Sequence, residues 1–169
     1  SGIHASIDNA DSTGDLTIKA ATTTGGRYGI YARNYGDGAL SITTTGTTTG
    51  TSGYGIYASI DNAASTGDLT IVTGEFDAEG NLIEAVDTRG GRNGIYAYNN
   101  GSGALSITTT GTTTGTSGAG IYAKIDNTAS TGNLTINADT TTGSHSGIRA
   151  INEGDGALSI TTTGTTTAD

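Results

Sequence analysis

The chain has 169 residues, 29 of them glycine, with one Phe, no Trp, no Met, no Cys and a formal net charge of −9. So few large apolar side chains argue against an ordinary globular core, and the absence of cysteine removes disulfides as a source of stability. The acidic balance excludes the basic stripe that nucleic acid requires and the polybasic patch that anionic membranes require.

Gly-Ile-x-Ala opens the chain at Gly2 and returns at Gly29, Gly55, Gly94, Gly120 and Gly147, at intervals of 27, 26, 39, 26 and 27 residues. A fixed period of this length marks a stacked repeat. Thr tracts and abundant glycine would suit disorder, but a disordered chain has no reason to keep Ile and Leu in register.

Two repeat types alternate. Type A, from Gly2, Gly55 and Gly120, reads Gly-Ile-x-Ala-x-Ile-Asp-Asn and then Ser-Thr-Gly-x-Leu-Thr-Ile. Type B, from Gly29, Gly94 and Gly147, reads Gly-Ile-x-Ala-x-Asn-x-Gly-x-Gly-Ala-Leu-Ser-Ile followed by a Thr tract. In the first repeat Ile3, Ala5 and Ile7 alternate with His4 and Ser6, and Leu16 and Ile18 flank Thr17. In the second, Ile30 and Ala32 flank Tyr31, and Leu40 and Ile42 flank Ser41. A period of two predicts strands with Ile, Ala and Leu buried, joined at Gly-rich corners such as 11–14 and 36–38. No segment carries a helical stripe.

Strands this short bury a face only by stacking. The fold predicted is all-β, a parallel β-helix of about six coils of 26–27 residues, and at about 4.8 Å per coil the rod is roughly 29 Å long. Three interior ladders follow. One is Ile3, Ile30, Ile56, Ile95, Ile121 and Ile148. The second is Leu16, Leu40, Leu69, Leu105, Leu134 and Leu158. The third is Ile18, Ile42, Ile71, Ile107, Ile136 and Ile160. The repeated alanines narrow the core and predict a thin, flattened tube. An antiparallel sandwich or prism is the competing fold, and equal coil lengths argue against it.

The 39-residue interval holds an insertion. Asp77-Ala-Glu-Gly-Asn81 is a turn signal between short alternating arms, which predicts a β-hairpin over residues 74–90. Insertions in solenoids commonly carry the binding face, so Glu75, Phe76, Asp77, Glu79 and Leu82 are candidate contact residues. The first and last residues both fall inside repeats, and residues 1–169 are therefore expected to form a single β-helix segment of a longer array.

Repeated Gly-Ile-Tyr-Ala with Gly-x-Gly-Ala-Leu-Ser-Ile-Thr-Thr-Thr-Gly resembles the passenger domains of bacterial autotransporters and related secreted adhesins, over essentially the whole chain. The resemblance implies a right-handed parallel β-helix exported to the cell surface or the extracellular space by a separate β-barrel. It also implies adhesion, aggregation or host contact as the role.

Tyr31, Tyr57, Tyr96 and Tyr122 occupy one outward position of the first strand, with His4 and Arg149 in the same row; Arg33, Tyr98 and Lys124 lie two residues along. This face reads either as an aromatic strip for a glycan or partner protein or as a ladder that stacks on itself and stabilises the sheet. Thr tracts at 43–49, 108–114 and 161–167 resemble ice-binding arrays, but tract length differs between coil types. Asp8, Asp61 and Asp126 precede Asn9, Asn62 and Asn127, a pattern better suited to turn stabilisation than to a cation. The glycine triplets at 36–38 and 154–156 hold an Asp that the triplet at 101–103 lacks, against the regular spacing of calcium repeats. Asn34, Asn99 and Asn152 are expected to cap corner backbone groups. No residue set pairs a nucleophile with a base, or two facing carboxylates, so no enzyme, metal or cofactor is predicted. The sequence reading is a non-enzymatic, adhesive or structural rod, with a surface protein, a glycan or its own copies as partner and no membrane insertion by this segment. A self-assembling filament and an ice- or carbohydrate-binding β-helix are the alternatives.

Overall fold

The computed structural model describes residues 1–169 and contains strands and turns but no helix. Each coil contributes one strand to each of three parallel six-stranded sheets, so the solenoid is three-sided. The first sheet holds Ile3–Ile7, Ile30–Asn34, Ile56–Ile60, Ile95–Asn99, Ala119–Ile125 and Ser146–Asn152. The second holds Leu16–Ala20, Leu40–Thr44, Leu69–Thr73, Leu105–Thr109, Leu134–Ala138 and Leu158–Thr162. The third holds Thr23–Gly25, Thr48–Gly50, Thr88–Gly90, Thr113–Gly115, Thr141–Gly143 and Thr166–Ala168.

Register follows the predicted ladders residue for residue. Ile3 faces Ile30, Leu16 faces Leu40 and Ile18 faces Ile42, and the same rows continue through all six coils. In the four inner coils these ladder Ile and Leu side chains are fully buried. They form one continuous core with Ala32, Ala58, Ala97 and Ala123. Like side chains stacked at the inter-strand spacing of about 4.8 Å cover one another, which is how strands of three to seven residues bury an apolar face.

The third sheet changes the expected cross-section from a flattened tube to a three-sided prism. Four of its strands are Thr-Thr-Gly, and the other two are Thr88-Arg89-Gly90 and Thr166-Thr167-Ala168. Thr48, Thr88, Thr113 and Thr141 point inward and are fully buried. The methyl groups of Thr48, Thr88 and Thr113 approach Gly29, Gly55 and Gly94 of the Gly-Ile-x-Ala motif. A Cβ built on Gly94 would stand 2.7 Å from the Thr113 methyl and 2.7 Å from the Gly120 carbonyl oxygen. The motif needs glycine because another strand already fills the space of a side chain. The threonine hydroxyls are less well served: the buried Oγ1 atoms of Thr44, Thr48, Thr73, Thr88, Thr109 and Thr113 have no partner.

Corners differ by coil type. In type B coils the inward row ends in an asparagine, buried at Asn34 and Asn99 and half-buried at Asn152. Asn99 Nδ2 donates to the carbonyls of Gly103 (3.0 Å) and Ala104 (3.3 Å), and its Oδ1 accepts from the Gly101 amide (2.9 Å). Asn34 and Asn152 make the equivalent contacts. In type A coils Ile7, Ile60 and Ile125 hold that row. There the corner is fastened from the loop: Asn62 Oδ1 accepts from the Ala64 amide and the buried Ser65 hydroxyl donates to the Asp37 carbonyl.

The insertion is a hairpin of Glu75–Phe76 against Leu82–Glu84. Asp77 closes its turn by accepting from the Glu79 and Asn81 amides and the Asn81 side chain. Gly80 takes the left-handed φ of +84° that the turn requires. The hairpin is shorter than the predicted 74–90, because Thr88–Gly90 pairs on both sides with neighbouring coils and belongs to the third sheet.

Candidate functional site

The first sheet turns its alternate side chains to solvent and builds the aromatic face. Tyr31, Tyr57, Tyr96 and Tyr122 stack ring on ring. Centroids are 4.9, 5.1 and 4.9 Å apart and planes lie within 9°, 4° and 3° of parallel. The in-register strands impose this spacing, and it consumes the ring faces: each inner ring is covered above and below by its neighbours. What remains for a ligand is ring edges and hydroxyls. Of the two readings of this row, the self-stacking ladder describes its geometry.

Two tyrosines absent from the predicted face extend it. Tyr28 and Tyr54 sit at the corner before Gly29 and Gly55, stack on each other at 5.6 Å, and pack obliquely against the flank of Tyr31, Tyr57 and Tyr96. They immediately precede the glycine of the motif, outside the alternating stretch, and only the preceding-residue position in successive repeats would have revealed them. Arg27, Arg92 and Arg149 lie against the rings of Tyr28, Tyr54 and Tyr122 at 5.0, 5.6 and 5.6 Å, within the range of a cation–π contact.

Arg33, Tyr98 and Lys124 share the face, and each reaches a carboxylate. Arg33 donates from Nε (2.8 Å) and Nη2 (2.6 Å) to Asp61 Oδ2, and Ser59 donates to the same oxygen at 3.1 Å. Tyr98 donates to Asp126, and Lys124 bridges Asp126 and Glu153, the latter at 2.8 Å. The Lys124 ammonium holds the Asp126 carboxyl below the usual carboxylate range, with the Tyr98 hydroxyl adding to the shift. Partial burial, then the bond to Asp126, raises the Tyr98 phenol. Desolvation opposes the charge on Arg33, but the Asp61 bonds outweigh it and the guanidinium titrates above its ordinary value. These charges are therefore neutralised within the rod. Asp61 and Asp126 act in ion pairs two coils apart, with Asn100 between them in the same row, rather than as a carboxylate ladder.

Burial, followed by its tyrosine neighbours, pushes the Tyr96 hydroxyl up to about 12. An unfolded tyrosine ionises near 10. The folded value is the higher one, so the ladder's contribution is complete below about pH 10 and is lost as pH rises toward about 12. Urea midpoints measured from about pH 9 to about pH 12 should fall across this window, in step with tyrosinate absorbance. A flat midpoint would show that the rings ionise without disturbing the stack.

Among the candidate hairpin residues, Phe76 (37%) and Leu82 (49%) are exposed, as is the adjacent Ile83 (61%). Glu75 and Asp77 are half-buried and Glu79 exposed. Leu82 overhangs the second sheet beside Thr110, Ala138 and Asp139, leaving a groove of about 370 Å³. Below the hairpin the outward rows run Thr17, Ser41, Thr70, Ser106, Thr135, Ser159 and Lys19, Thr43, Val72, Thr108, Asn137, Thr161. Lys19, Val72 and Asn137 interrupt the second row, and Arg89 interrupts the outward Thr row of the third sheet. A regular hydroxyl lattice is not formed.

No protein-family model, curated protein or solved structure matches this chain. The functional argument therefore rests on the arrangement of the residues. No helix is long and apolar enough to cross a membrane.

Proposed function

We propose that the chain is a non-enzymatic segment of a bacterial surface-exposed or secreted β-helical protein. It acts as a rigid rod that presents repeated contacts to a surface protein or a glycan, as the resemblance to autotransporter passenger domains suggests. The supporting observation is the hairpin. Of the exposed large apolar side chains, Leu158 and Ile160 lie in the last coil, and the hairpin carries the other three, Phe76, Leu82 and Ile83. Apolar side chains held on a projecting turn supply desolvation energy at a contact, and the stiff rod fixes their spacing for multivalent attachment.

The test uses the hairpin's own equivalents. Coils two and four turn the same corner with Thr45-Gly46-Thr47 and Thr110-Gly111-Thr112, so replacing residues 74–87 with Thr-Gly-Thr should preserve the fold. Beads coated with the chain should adhere to bacterial or epithelial cells, and the shortened variant should lose about tenfold or more of that adhesion. Coated beads that adhere no better than albumin-coated ones would remove the adhesive reading.

A further inference from the structure

The geometry points to a binding site for an acidic saccharide in the groove between the tyrosine ladder and the corner of coils four to six. The corner row runs Tyr28, Tyr54, Asn93, Ala119 and Ser146: their carbonyls accept from the successive motif amides Gly2, Gly29, Gly55 and Gly94, and Ala119 pairs with Ser146. In coils two and three the two tyrosines fill the flank of the ladder. In coils four to six the small residues leave it open, as a groove of about 400 Å³. That volume lies within the range of small-ligand sites.

The charged and aromatic groups that line the groove favour an anion. Tyr96 and Tyr122 present ring edges, the positive side of the aromatic quadrupole, because their faces are stacked. Arg92 and Arg149 stand at its two ends, and both are exposed. Neither has a carboxylate partner; the ion pairs of the chain involve only Arg33, Arg89 and Lys124. Ser117 and His145 add polar groups, and no Asp or Glu reaches the lining. In a chain with 16 acids and 7 basic residues, an acid-free groove between two arginines that touch tyrosine rings but no carboxylate is complementary to a carboxylate. The guanidinium fork binds that group in two parallel bonds. Hydroxyl-rich walls and a space of one or two sugar rings favour a hexuronate over a simple ion.

This assignment deepens the adhesive reading by naming a ligand class, and it rests on that reading for its role. The experiment is an NMR titration of the intact chain with trigalacturonate, its neutral methyl ester and triglutamate. Trigalacturonate should shift Tyr96, Tyr122 and Arg149 resonances with a Kd on the order of 1 mM or tighter. The methyl ester and triglutamate should bind about tenfold more weakly or not at all. Arg92→Ala and Arg149→Ala, both at exposed positions, should each weaken binding about tenfold. Ala119→Tyr refills the groove with the residue that coil three carries there and should abolish binding while leaving the circular dichroism spectrum unchanged. Absent binding, equal binding of acid and ester, equal binding of triglutamate, or binding that survives the arginine variants would overturn the assignment. Such a failure leaves the adhesive reading to the bead assay, which turns on the hairpin and not on this groove.

Discussion

Gly90→Ala is expected to be among the most destabilising single substitutions in the chain, at about 4 kcal/mol or more. Gly90 ends a third-sheet strand just before the chain turns back into the first sheet. A Cβ there would lie 1.8 Å from the Asn93 carbonyl oxygen, 2.6 Å from its carbonyl carbon and 2.8 Å from the Gly55 nitrogen. All three atoms are backbone, so no rotamer relieves the overlap. A Cβ on Gly25, Gly50, Gly115 or Gly143 would likewise lie 1.8 to 2.1 Å from the corner carbonyl oxygens of Tyr28, Tyr54, Ala119 and Ser146. Shifting the Asn93 carbonyl would also break its bond from the Gly55 amide and misplace the glycine that admits the Thr88 methyl. The lesion therefore spreads across the interface between coils, where a solenoid keeps much of its stability. Gly26→Ala is the control. Its Cβ would meet nothing within 4 Å and its φ is not in the left-handed region. It should be neutral or stabilising by about 0.4–1 kcal/mol, through the entropy of the unfolded chain. Urea denaturation of the two variants decides the matter. Equal midpoints would mean that the turn from third to first sheet is not closed as tightly as described.

The ladders were legible in the sequence because each rests on two or three alternating apolar residues repeated six times at nearly constant interval. The third sheet was not. Thr-Thr-Gly offers one inward side chain and a glycine, too short for a period of two to register, and threonine reads as surface on composition alone. The aromatic face was half legible. Tyr31, Tyr57, Tyr96 and Tyr122 follow from the motif, but their stacking removes the ring faces that made them attractive as a platform. Tyr28 and Tyr54 precede the motif and escaped it. The ion pairs of Arg33 and Lys124 could have been read by carrying the register one position along. Asp61 follows Ile60, which stands opposite Asn34, and so falls diagonally beside Arg33 in the next coil. The groove beside Tyr122 is visible only when the corner row is aligned as Tyr28, Tyr54, Asn93, Ala119 and Ser146. Its meaning depends on which arginines lack a carboxylate, and that is settled by side-chain placement rather than by order in the chain.

Exchanging the two residue types in the inward row that ends the first-sheet strands, where asparagine and isoleucine alternate, should be harmful in both directions. Asn99 and Ile125 are neighbours in this row, on adjacent coils and both fully buried. Asn99→Ile would find Ile60 and Ile125 on either side and gain roughly 1.5–3 kcal/mol of apolar burial. It would also strip the Gly101 amide and the Gly103 carbonyl of their partners, at about 1–3 kcal/mol each. The Ala104 carbonyl is spared, since it still accepts from the Leu69 amide at 2.9 Å. The apolar gain thus offsets much of the loss, and a net cost of about 1–2 kcal/mol is expected. Asn99→Ala has no such compensation and adds a cavity, so its cost should reach about 3–5 kcal/mol. In the reverse direction, Ile125→Asn places an amide where Asn127 and Ser130 already fasten the corner, with Asn127 Oδ1 taking the Ala129 amide and Ser130 Oγ the Gly132 amide. The new amide would be buried without partners and the isoleucine's packing lost, for about 3–5 kcal/mol. The ordering Asn99→Ile, then Asn99→Ala and Ile125→Asn, distinguishes a row specified by its corner bonds from one specified by volume. A row governed by volume alone would make Asn99→Ile more stable than the parent, and urea midpoints would show it directly.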